Sequence, residues 1–553
     1  MRQVVVAMGR SAVCACLCLA LSGVQAAEQV GDVLRELETK PLSPPPEPPV
    51  GTPSIELPED SEQQAGSATV TLEGFRFNGN TAFSSDELAA LLSDDTGVEL
   101  SLSDLYGAAS RITAYYREHG WLLARAVLPP QDITEGVLTI QVVEGRYGEI
   151  RLNNNSQVLG TVTQRATRSL ASGDGVKIGA LENALMNLDA LPGTRVGSRL
   201  SAGSEPGTSD VDVTVSEGDR VTGNLAIDNY GNTYNGAYRL SGGVNIANPL
   251  SLGDSLGFQG LVSDEGQAYI RSQYDLPVGP WNTRLGTAVS WLQYRLGDDF
   301  EDLNAEGNAA TASVFVDQNW WRQRAWGLSS RLTFQYRDLE DEQLGLVSEK
   351  TLNSLTLDVI NGYWRDSVLA GSSNSVRLNW TFGDLRLDSP FAEASDVYGT
   401  EGTYHKVSLA LLRQQWLAAK WLLQIDARAQ KAGGNLDSIE KFSLGGAYGV
   451  RAFPQGETSG DEGWLLSTEV RHIFNPKWQA GVFMDLGGVK YNDKPLPTGD
   501  IHRNLSGAGV SAYWFPDPQW RVSASAATSL DTEEAVSDDP KDVYVWGQVQ
   551  WTF

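Results

Sequence analysis

The part of the sequence that most restricts the fold runs from residue 219 to the C-terminus. It contains seventeen segments of about ten residues in which apolar and polar side chains alternate, as in β-strands with two different faces. The gaps between these segments alternate in length. Short gaps lie at 279–282, 322–325, 417–419, 475–477 and 516–519, and long gaps lie at 297–309, 339–351, 387–402, 490–504 and 531–541. Because tight turns at one rim and longer loops at the other are typical of outer-membrane β-barrels, the pattern predicts an all-β transmembrane barrel over 219–553.

The number of strands follows from the requirement that both ends of the barrel lie on the same side of the membrane. An even number is then needed, so one of the seventeen segments must be excluded. The weakest segment is Lys441–Val450, which contains three glycines. Assigning it to a loop over 433–463 leaves sixteen antiparallel strands and keeps short turns and long loops in phase. A soluble β-sandwich is the alternative, and the phasing of the gaps argues against it.

The final strand supports the barrel by its alternation. It predicts lipid contact for Val543, Val545, Gly547, Val549, Trp551 and Phe553, and an inward orientation for Tyr544, Trp546, Gln548, Gln550 and Thr552. The strand ends on Phe553, the usual terminal residue of outer-membrane barrels, so this residue is the predicted outer-membrane targeting signal.

The first 26 residues have the pattern of a secretory signal peptide. Two arginines precede an apolar run, and Val24-Gln25-Ala26 supplies small residues for cleavage. All three cysteines lie within 1–26, so removal of this segment leaves no thiol, disulfide or thiolate metal site. Lipidation at Cys16 is the alternative for this segment. Beyond it no run of 18 apolar residues occurs, so a membrane-spanning chain of this composition must be a β-barrel.

Two further segments precede the first domain. Residues 27–40 can form a short amphipathic helix, which is too short to be stable alone and is expected to dock on another part of the protein. Residues 41–67 form a Pro-rich linker with eight prolines between Pro41 and Pro58, and such a linker is stiff and extended. A helix on a long arm is a tethered plug or a docking peptide, and the alternative is a disordered N-terminal tail.

Residues 68–145 and 146–218 contain the same order of predicted elements, which is strand, helix, helix, strand, strand. Both segments also end alike, at Val143-Glu144-Gly145 and at Val215-Ser216-Glu217-Gly218. A repeated unit of about 75 residues predicts two small tandem α/β domains, each with an exposed sheet edge.

Several classes of function are disfavoured by the residues present. The chain has 42 Lys and Arg against 69 Asp and Glu, a net charge of -27, so a nucleic-acid partner is not expected. It has no G-x-x-x-x-G-K-[ST], H-E-x-x-H or G-x-S-x-G motif, and its four histidines show no ligand spacing. We therefore expect no enzymatic activity, no catalytic residues, no cofactor and no metal. An outer-membrane phospholipase or protease is the enzymatic alternative.

Several motifs occur in a fixed order along the chain. Gly74-Phe75-Arg76-Phe77-Asn78-Gly79-Asn80-Thr81-Ala82-Phe83, Tyr115-Tyr116-Arg117-Glu118-His119-Gly120-Trp121 with Leu128-Pro129-Pro130-Gln131, and Gly203-Ser204-Glu205-Pro206-Gly207-Thr208-Ser209-Asp210 resemble parts of POTRA (polypeptide-transport-associated) domains. Val450-Arg451-Ala452-Phe453 resembles the V-R-G-F/Y loop motif of barrel proteins that carry POTRA domains. Phe483-Met484-Asp485-Leu486-Gly487 resembles the F-x-D-x-G motif on the thirteenth barrel strand of the same proteins. Together they resemble the outer-membrane transporters of two-partner secretion, the haemolysin-activator type within the POTRA-plus-barrel superfamily.

The loop and strand motifs supply the candidate site. Alternation places Phe483, Asp485 and Gly487 on the inward face of their strand, where a carboxylate needs a cation. We expect Arg451 to pair with Asp485 and to anchor the 433–463 loop inside the pore. Val450, Ala452 and Phe453 complete the loop motif. Ala452 replaces the usual Gly, which leaves the backbone conformation open because Ala does not tolerate positive φ as Gly does.

The resemblance implies a function and its partners. The expected protein is a bacterial outer-membrane pore whose periplasmic POTRA domains recognise a secreted partner polypeptide, an adhesin, a haemolysin or a similar β-helical exoprotein. It would translocate this partner unfolded and without nucleotide hydrolysis, with helix 27–40 in the idle pore. Outer-membrane lipid and the barrel-assembly machinery are the other expected partners. Two POTRA domains favour secretion over the alternative, an outer-membrane protein assembly or insertion factor, and a diffusion porin would lack residues 70–218.

Overall fold

The computed structural model describes residues 30–38, 42, 69–133, 135–279, 282–495, 501–531, 535–538 and 540–553. The predicted signal peptide at 1–26 and all of the predicted linker at 41–67 except Leu42 lie outside these residues. Among the described helices, none has the length and apolar character that a membrane crossing requires.

The helices are mostly short. They are α1 Val30–Glu38, α2 Ser85–Ala90, α3 Leu102–Glu118, α4 Gly160–Ala166, α5 Ile178–Asp189 and α6 Pro390–Ser395, with 3-10 turns at Ser93–Asp95, Asp298–Leu303 and Ser438–Glu440. The longest, α3, starts at a capping box in which Ser101 and Asp104 exchange hydrogen bonds with each other's backbone.

Residues 69–217 form two small α/β units. Their strands are β1 Thr69–Thr71, β2 Gly74–Asn78, β3 Glu99–Ser101, β4 Arg125–Val127, β5 Val137–Val143, β6 Arg146–Asn154, β7 Thr194–Ala202 and β8 Thr208–Glu217. The first unit has a sheet of order β2-β5-β4, and the second has a sheet of order β6-β8-β7. Each sheet has its own apolar core against its helices, built around Leu138 and Ile112 in the first unit and around Val213 and Leu181 in the second. The predicted α/β region ahead of the barrel is confirmed.

Sixteen antiparallel strands close into a barrel, as predicted. The wall strands are β9 Val221–Asp228, β10 Arg239–Ala247, β11 Ser255–Ser263, β12 Ala268–Val278, β13 Thr283–Arg295, β14 Glu306–Arg322, β15 Trp326–Gln343, β16 Leu346–Asp366, β17 Ser372–Leu387, β18 Gly402–Ala418, β19 Trp421–Ala432, β22 Glu462–Asn475, β23 Trp478–Lys490, β24 His502–Trp514, β25 Trp520–Ser529 and β26 Tyr544–Thr552. Strand β26 pairs with β9 and closes the barrel. The F-x-D-x-G motif lies on β23, which is the thirteenth wall strand.

The alternation predicted for the last strand agrees with the exposure of its side chains. Val545 and Val549 are exposed on the outer surface, whereas Tyr544 and Trp546 are buried inside the barrel. Side chains on the other wall strands alternate in the same way, for example on β13, where Val289 is exposed and Leu292 is buried. The outward positions therefore form an apolar surface and the inward positions line the lumen.

One predicted loop is wrong. Residues 339–351 do not form a long loop, because β15 and β16 continue through them to a two-residue turn at Leu344 and Gly345. Both turn residues have positive φ, at 52° and 75°, as a tight hairpin turn with the twist of its strands requires. The ends of these two strands are rich in charged residues, so apolar side chains no longer occupy every second position there. The two backbones nevertheless remain paired, because hydrogen bonding between strands does not depend on that alternation.

The segment Lys441–Val450 is not a wall strand. Only β20 Phe442–Ser443 forms within it, and β20 pairs with β21 Ser459–Gly460. These two short strands bring together the ends of a loop that runs from β19 to β22. We call residues 433–461 the inner loop, because its side chains pack among inward-facing residues of the wall.

Candidate functional site: the inner loop and its anchors

An apolar cluster holds the motif part of the inner loop against the wall. Leu444, Val450 and Phe453 are almost fully buried, and they pack against inward-facing residues of β22 to β25, which are Leu465, Phe483, Val489, Leu505 and Ala527. Burial of these side chains contributes roughly 1.5–3 kcal/mol each. The loop is therefore folded into the lumen through its own sequence motif.

The structure brings Arg451 and Asp485 together. The guanidinium donates two parallel hydrogen bonds, from Nε to Oδ2 and from Nη2 to Oδ1, each 2.8 Å long. The Arg451 backbone N–H also donates to Oδ2 at 3.1 Å, and the Ser467 hydroxyl donates to Oδ1 at 2.7 Å. The Asp485 side chain is fully buried, so its charge is balanced by this fork and by two further donors.

The other residues of the strand motif shape the space around Arg451. The guanidinium carbon lies 3.3 Å from the ring centroid of Phe483, so the cation stacks on an aromatic face. Gly487 leaves room for the inner loop, because a Cβ at this position would overlap Cδ1 of Leu444. Both predicted residues of the strand motif, Phe483 and Gly487, thus contact the loop that carries Arg451.

Ala452 fits where the family motif has Gly. It is not among the residues with positive φ, so the Ala side chain causes no backbone strain there. Its Cβ points at Gly507 of β24, where a second Cβ would overlap it. The missing Cβ at Gly507 therefore compensates for the extra Cβ at Ala452.

Glu469 is an important residue that the sequence analysis missed. It accepts hydrogen bonds from Ser511 at 2.7 Å, Tyr513 at 2.9 Å and Arg471 at 3.1 Å, and Arg451 Nη1 reaches it at 3.3 Å. It lies two residues beyond Ser467, the residue directly opposite Asp485 in the register of β22 and β23. The alternation of side chains along β22 places Glu469 on the same inward face as Ser467, and this pattern is the feature of the sequence that could have identified Glu469.

Two more acidic residues anchor the remainder of the loop. Glu457 pairs with Arg503 of β24 and accepts from the backbone N–H groups of Val536 and Ser537. Asp461 is fully buried, pairs with Lys441 at 2.9 Å, and accepts from the backbone N–H of Leu436. The inner loop is thus held by ion pairs at several points and not by Arg451 alone.

The start of the inner loop meets helix α1. Arg35 donates to the carbonyl of Ser438, and the Gly31 backbone lies so close that a Cβ there would overlap the Ser438 hydroxyl oxygen. Val30, Val33 and Leu34 are buried in a cluster with Ile439 and with inward-facing wall residues, among them Leu292, Tyr294, Leu339 and Leu352. Residues 30–38 of the helix predicted over 27–40 therefore lie inside the barrel, near the strand ends that lead to the longer loops.

Charged pairs connect the same region to the wall. Glu440 pairs with Lys406 at 2.8 Å and with Arg337 at 2.9 Å, and Arg337 also reaches Glu38 of α1 at 3.1 Å. Asp437 pairs with Lys350 at 2.9 Å. Burial would raise the pKa of Asp437, but Lys350 and local hydrogen bonds outweigh it, so the pKa lies below its usual value. Burial also opposes ionisation of Glu440, while Lys406 and Arg337 lower its pKa.

The arrangement can hold a loop and a helix in place. Within the described ranges, the residues form no group of three or more His, Cys, Asp or Glu that could hold a metal ion. The acidic residues named above are all matched with basic groups or N–H donors.

Comparison with known proteins gives a consistent result. Residues 207–513 match the family model of the haemolysin secretion/activation proteins ShlB/FhaC/HecB, and residues 70–145 match the ShlB-type POTRA domain. The heme/hemopexin transporter protein HuxB of Haemophilus influenzae is 29% identical over 462 residues, with 81% of each chain covered. The outer membrane transporter CdiB of Dickeya dadantii is 24% identical over 470 residues, covering 79% of this chain and 77% of its own.

A solved structure agrees in fold. CdiB from Escherichia coli has a TM-score of 0.67 and 23% identity, with 91% of this chain and 94% of that chain covered. In this family the barrel lies in the outer membrane and the POTRA domains lie in the periplasm. Since the family model covers more than half of the chain, the protein belongs to the haemolysin secretion/activation family ShlB/FhaC/HecB, whose members are outer-membrane transporters of two-partner secretion.

Proposed function

We propose that this protein captures one secreted exoprotein in the periplasm and passes it, unfolded, through the barrel to the cell surface. Membership of a transporter family supports the class of function. The proposed partner is a large β-helical exoprotein, such as an adhesin or a haemolysin. The sequence contains no nucleotide-binding motif, so the proposal assigns outward movement to folding of the exoprotein at the surface and not to nucleotide hydrolysis.

The observation that carries this proposal is the edge strand β7. Within the described strands, β7 pairs only with β8, which leaves the other edge of its nine residues without a neighbouring strand. Arg195, Gly197 and Arg199 are exposed along it, while Val196 and Leu200 pack against the apolar core of the unit. An unfolded chain offers unpaired N–H and C=O groups, and addition of a strand satisfies both edges.

In the proposed resting state α1 fills part of the lumen. A sixteen-stranded barrel has a lumen wide enough for water and would leak if it were empty. The contacts of α1 with the inner loop and the wall, through Arg35 and Glu38, support this role. In this proposal, arrival of the exoprotein displaces the helix.

Two further partners complete the proposal. The outward apolar surface of the wall contacts outer-membrane lipid, and the barrel-assembly machinery inserts the barrel. Trp residues on the outer surface, such as Trp320, Trp478 and Trp520, are exposed close to the short turns, where aromatic side chains favour the membrane interface.

The test is co-expression with candidate secreted proteins, with and without residues 68–218. We expect the full protein to release one of them into the medium and the deletion variant to insert into the membrane without releasing it. Release that survives the deletion would contradict capture by the α/β units. Failure to release any candidate, combined with defective insertion of other barrels in cells lacking this protein, would favour the assembly-factor alternative.

A further inference from the structure

The inward lining of the barrel wall is divided into two sectors of different chemistry. We infer that four consecutive wall strands, β26, β9, β10 and β11, form the passage along which the extended exoprotein slides. We call their inward face the neutral track. This inference rests on the proposed function and specifies which part of the lumen the exoprotein contacts.

The neutral track carries amide and hydroxyl groups instead of ions. All residues of these four strands are described, and their inward positions include Asn224, Asn245, Gln259 and Gln550. In register, Asn224 lies opposite Gly243, and Gly243 lies opposite Gln259. The inward charges on these strands are Asp228 and Arg239, which pair with each other at 2.9 Å beside the loop between β9 and β10.

The rest of the wall is charged. Each of the twelve strands from β12 to β25 has at least one inward-facing charged residue, and neighbouring strands exchange ion pairs across the lumen face. Examples are Arg284 with Asp275 and Arg331 with Asp317, and Arg471 pairs with Glu469 within β22. The change from charged to neutral lining therefore coincides with the boundaries of four adjacent strands.

The neutral track also has free space in front of it. A cavity of about 480 Å³ lies along it, lined by Asn224, Gly243, Asn245, Gly257 and Gln259, with Arg271 and Asp275 of β12 at its border to the charged sector. At Gly257 the nearest atom to an added Cβ would be 3.8 Å away, so the glycine widens the lumen at that point. An extended chain needs width for its backbone, and Gly243 and Gly257 provide this width because they have no side chains.

The resting plug lies on other strands. Helix α1 packs on β13, β14, β15 and the inner loop. Leu42 lines a second cavity of about 540 Å³ whose walls include Asp426, Arg428, Glu469 and Arg471 and, from β26, Gln548 and Gln550. Helix α1 thus lies on the charged side of the lumen, on strands that do not belong to the neutral track.

Neutral amides suit a chain that must keep moving. A side-chain amide both donates and accepts, so it can exchange hydrogen bonds with each N–H and C=O of a passing backbone. A fixed ion instead binds oppositely charged side chains strongly and repels like ones. The neutral track therefore favours an extended polypeptide whatever its side-chain charges.

The first test is photo-crosslinking in cells that co-express the full-length transporter and the exoprotein it releases. A benzophenone amino acid is placed at Gln259 or, as the matched control, at Gln424, which faces the charged cavity from β19. The exoprotein carries a fused, rapidly folding domain that stalls it in the pore. We expect crosslinks from position 259 and few from position 424. Equal or stronger crosslinking from position 424 would overturn the neutral track while leaving transport intact.

The second test changes charge without changing shape. Asn224→Asp combined with Gln259→Glu is expected to slow release by about tenfold, because fixed charges then hold or repel the passing chain. Gln424→Glu, made where charges already occur, is expected to leave the release rate unchanged. Unchanged release by the double variant would also overturn the inference. Absence of release by the unmodified protein would instead overturn the proposed function, and the inference with it.

Discussion

At the scale of single residues, the site depends on a buried carboxylate and the groups that surround it. Asp485 receives the fork of Arg451, a backbone N–H and the hydroxyl of Ser467. Such a carboxylate is costly to bury, and its cost is offset only while all of these donors remain in place. The position of Arg451, and with it the tip of the inner loop, is therefore fixed by charge as well as by packing.

Removal of either partner is expected to free the loop tip. Arg451→Ala leaves Asp485 buried without its cation, which costs about 3–5 kcal/mol. We expect unchanged insertion of the barrel, faster proteolysis of the inner loop and a strong loss of secretion. Arg295→Ala is the matched control, because its ion pair with Glu306 is exposed and contributes about 0–1 kcal/mol. Normal secretion by both Arg451→Ala and Asp485→Ala would contradict the anchor.

A second residue-scale prediction concerns the contact between Ala452 and Gly507. Gly507→Ala places two Cβ atoms in the same space and is expected to lower the unfolding temperature of the barrel and to expose the loop to protease. The double variant Ala452→Gly with Gly507→Ala removes the overlap and is expected to regain stability. The check is a double-mutant cycle on heat-dependent gel migration, and additive losses in the double variant would contradict direct contact.

At the scale of elements, α1 owes its position to partners far away in sequence. A helix of nine residues is not stable alone in water, so its apolar face and its charges must be satisfied by docking. The 3-10 turn Ser438–Glu440 and the wall supply these contacts. The close approach at Gly31 is the point where the helix is most sensitive to a larger side chain.

Gly31→Ala is therefore expected to displace α1. The added Cβ would overlap Ser438 Oγ and lie 3.0 Å from Ile439 N, which is backbone and cannot move aside easily. Single-channel conductance in planar bilayers should rise toward that of a variant lacking residues 27–67. Gly107→Ala on α3 is the control, since nothing lies within 4 Å of a Cβ there. Unchanged conductance of both the deletion and Gly31→Ala would argue against a plug.

At the scale of the whole molecule, the inner loop connects two otherwise separate parts. Its first part contacts α1 through Ser438, and Glu440 is linked to Glu38 of α1 by way of Arg337, while its motif binds Asp485 on β23. Displacing the loop tip should therefore weaken the contacts that hold α1 in the lumen. The barrel wall itself is paired around its full circumference and need not change.

This connection predicts non-additive effects on conductance. Asp485→Ala is expected to raise conductance by itself, and the combination with Gly31→Ala should add little, because both changes release the same helix. Bilayer recordings of the two single variants and the double variant test this. Independent, additive increases would show that the loop and the helix move separately.

The local sequence determined the features that depend on nearest neighbours along the chain. Period-two alternation determined the strands, the inward face of Asp485 and the lipid face of Val545, because successive side chains of a strand point to opposite sides. The even strand number then placed Lys441–Val450 in a loop. Apolar alternation does not reveal the charged ends of β15 and β16, because their pairing is a property of the hairpin.

Only the tertiary structure decided which distant groups meet. The roles of Glu469 and Gly507, the docking of α1 on Ser438 and the division of the lumen into a charged and a neutral sector all arise from contacts between separate strands or loops. No local pattern identifies the groups that these residues meet, because a carboxylate or a glycine has the same sequence neighbours whatever faces it across the barrel. Closure of the wall sets those distances, and it therefore determines how the loop, the helix and the track share one lumen.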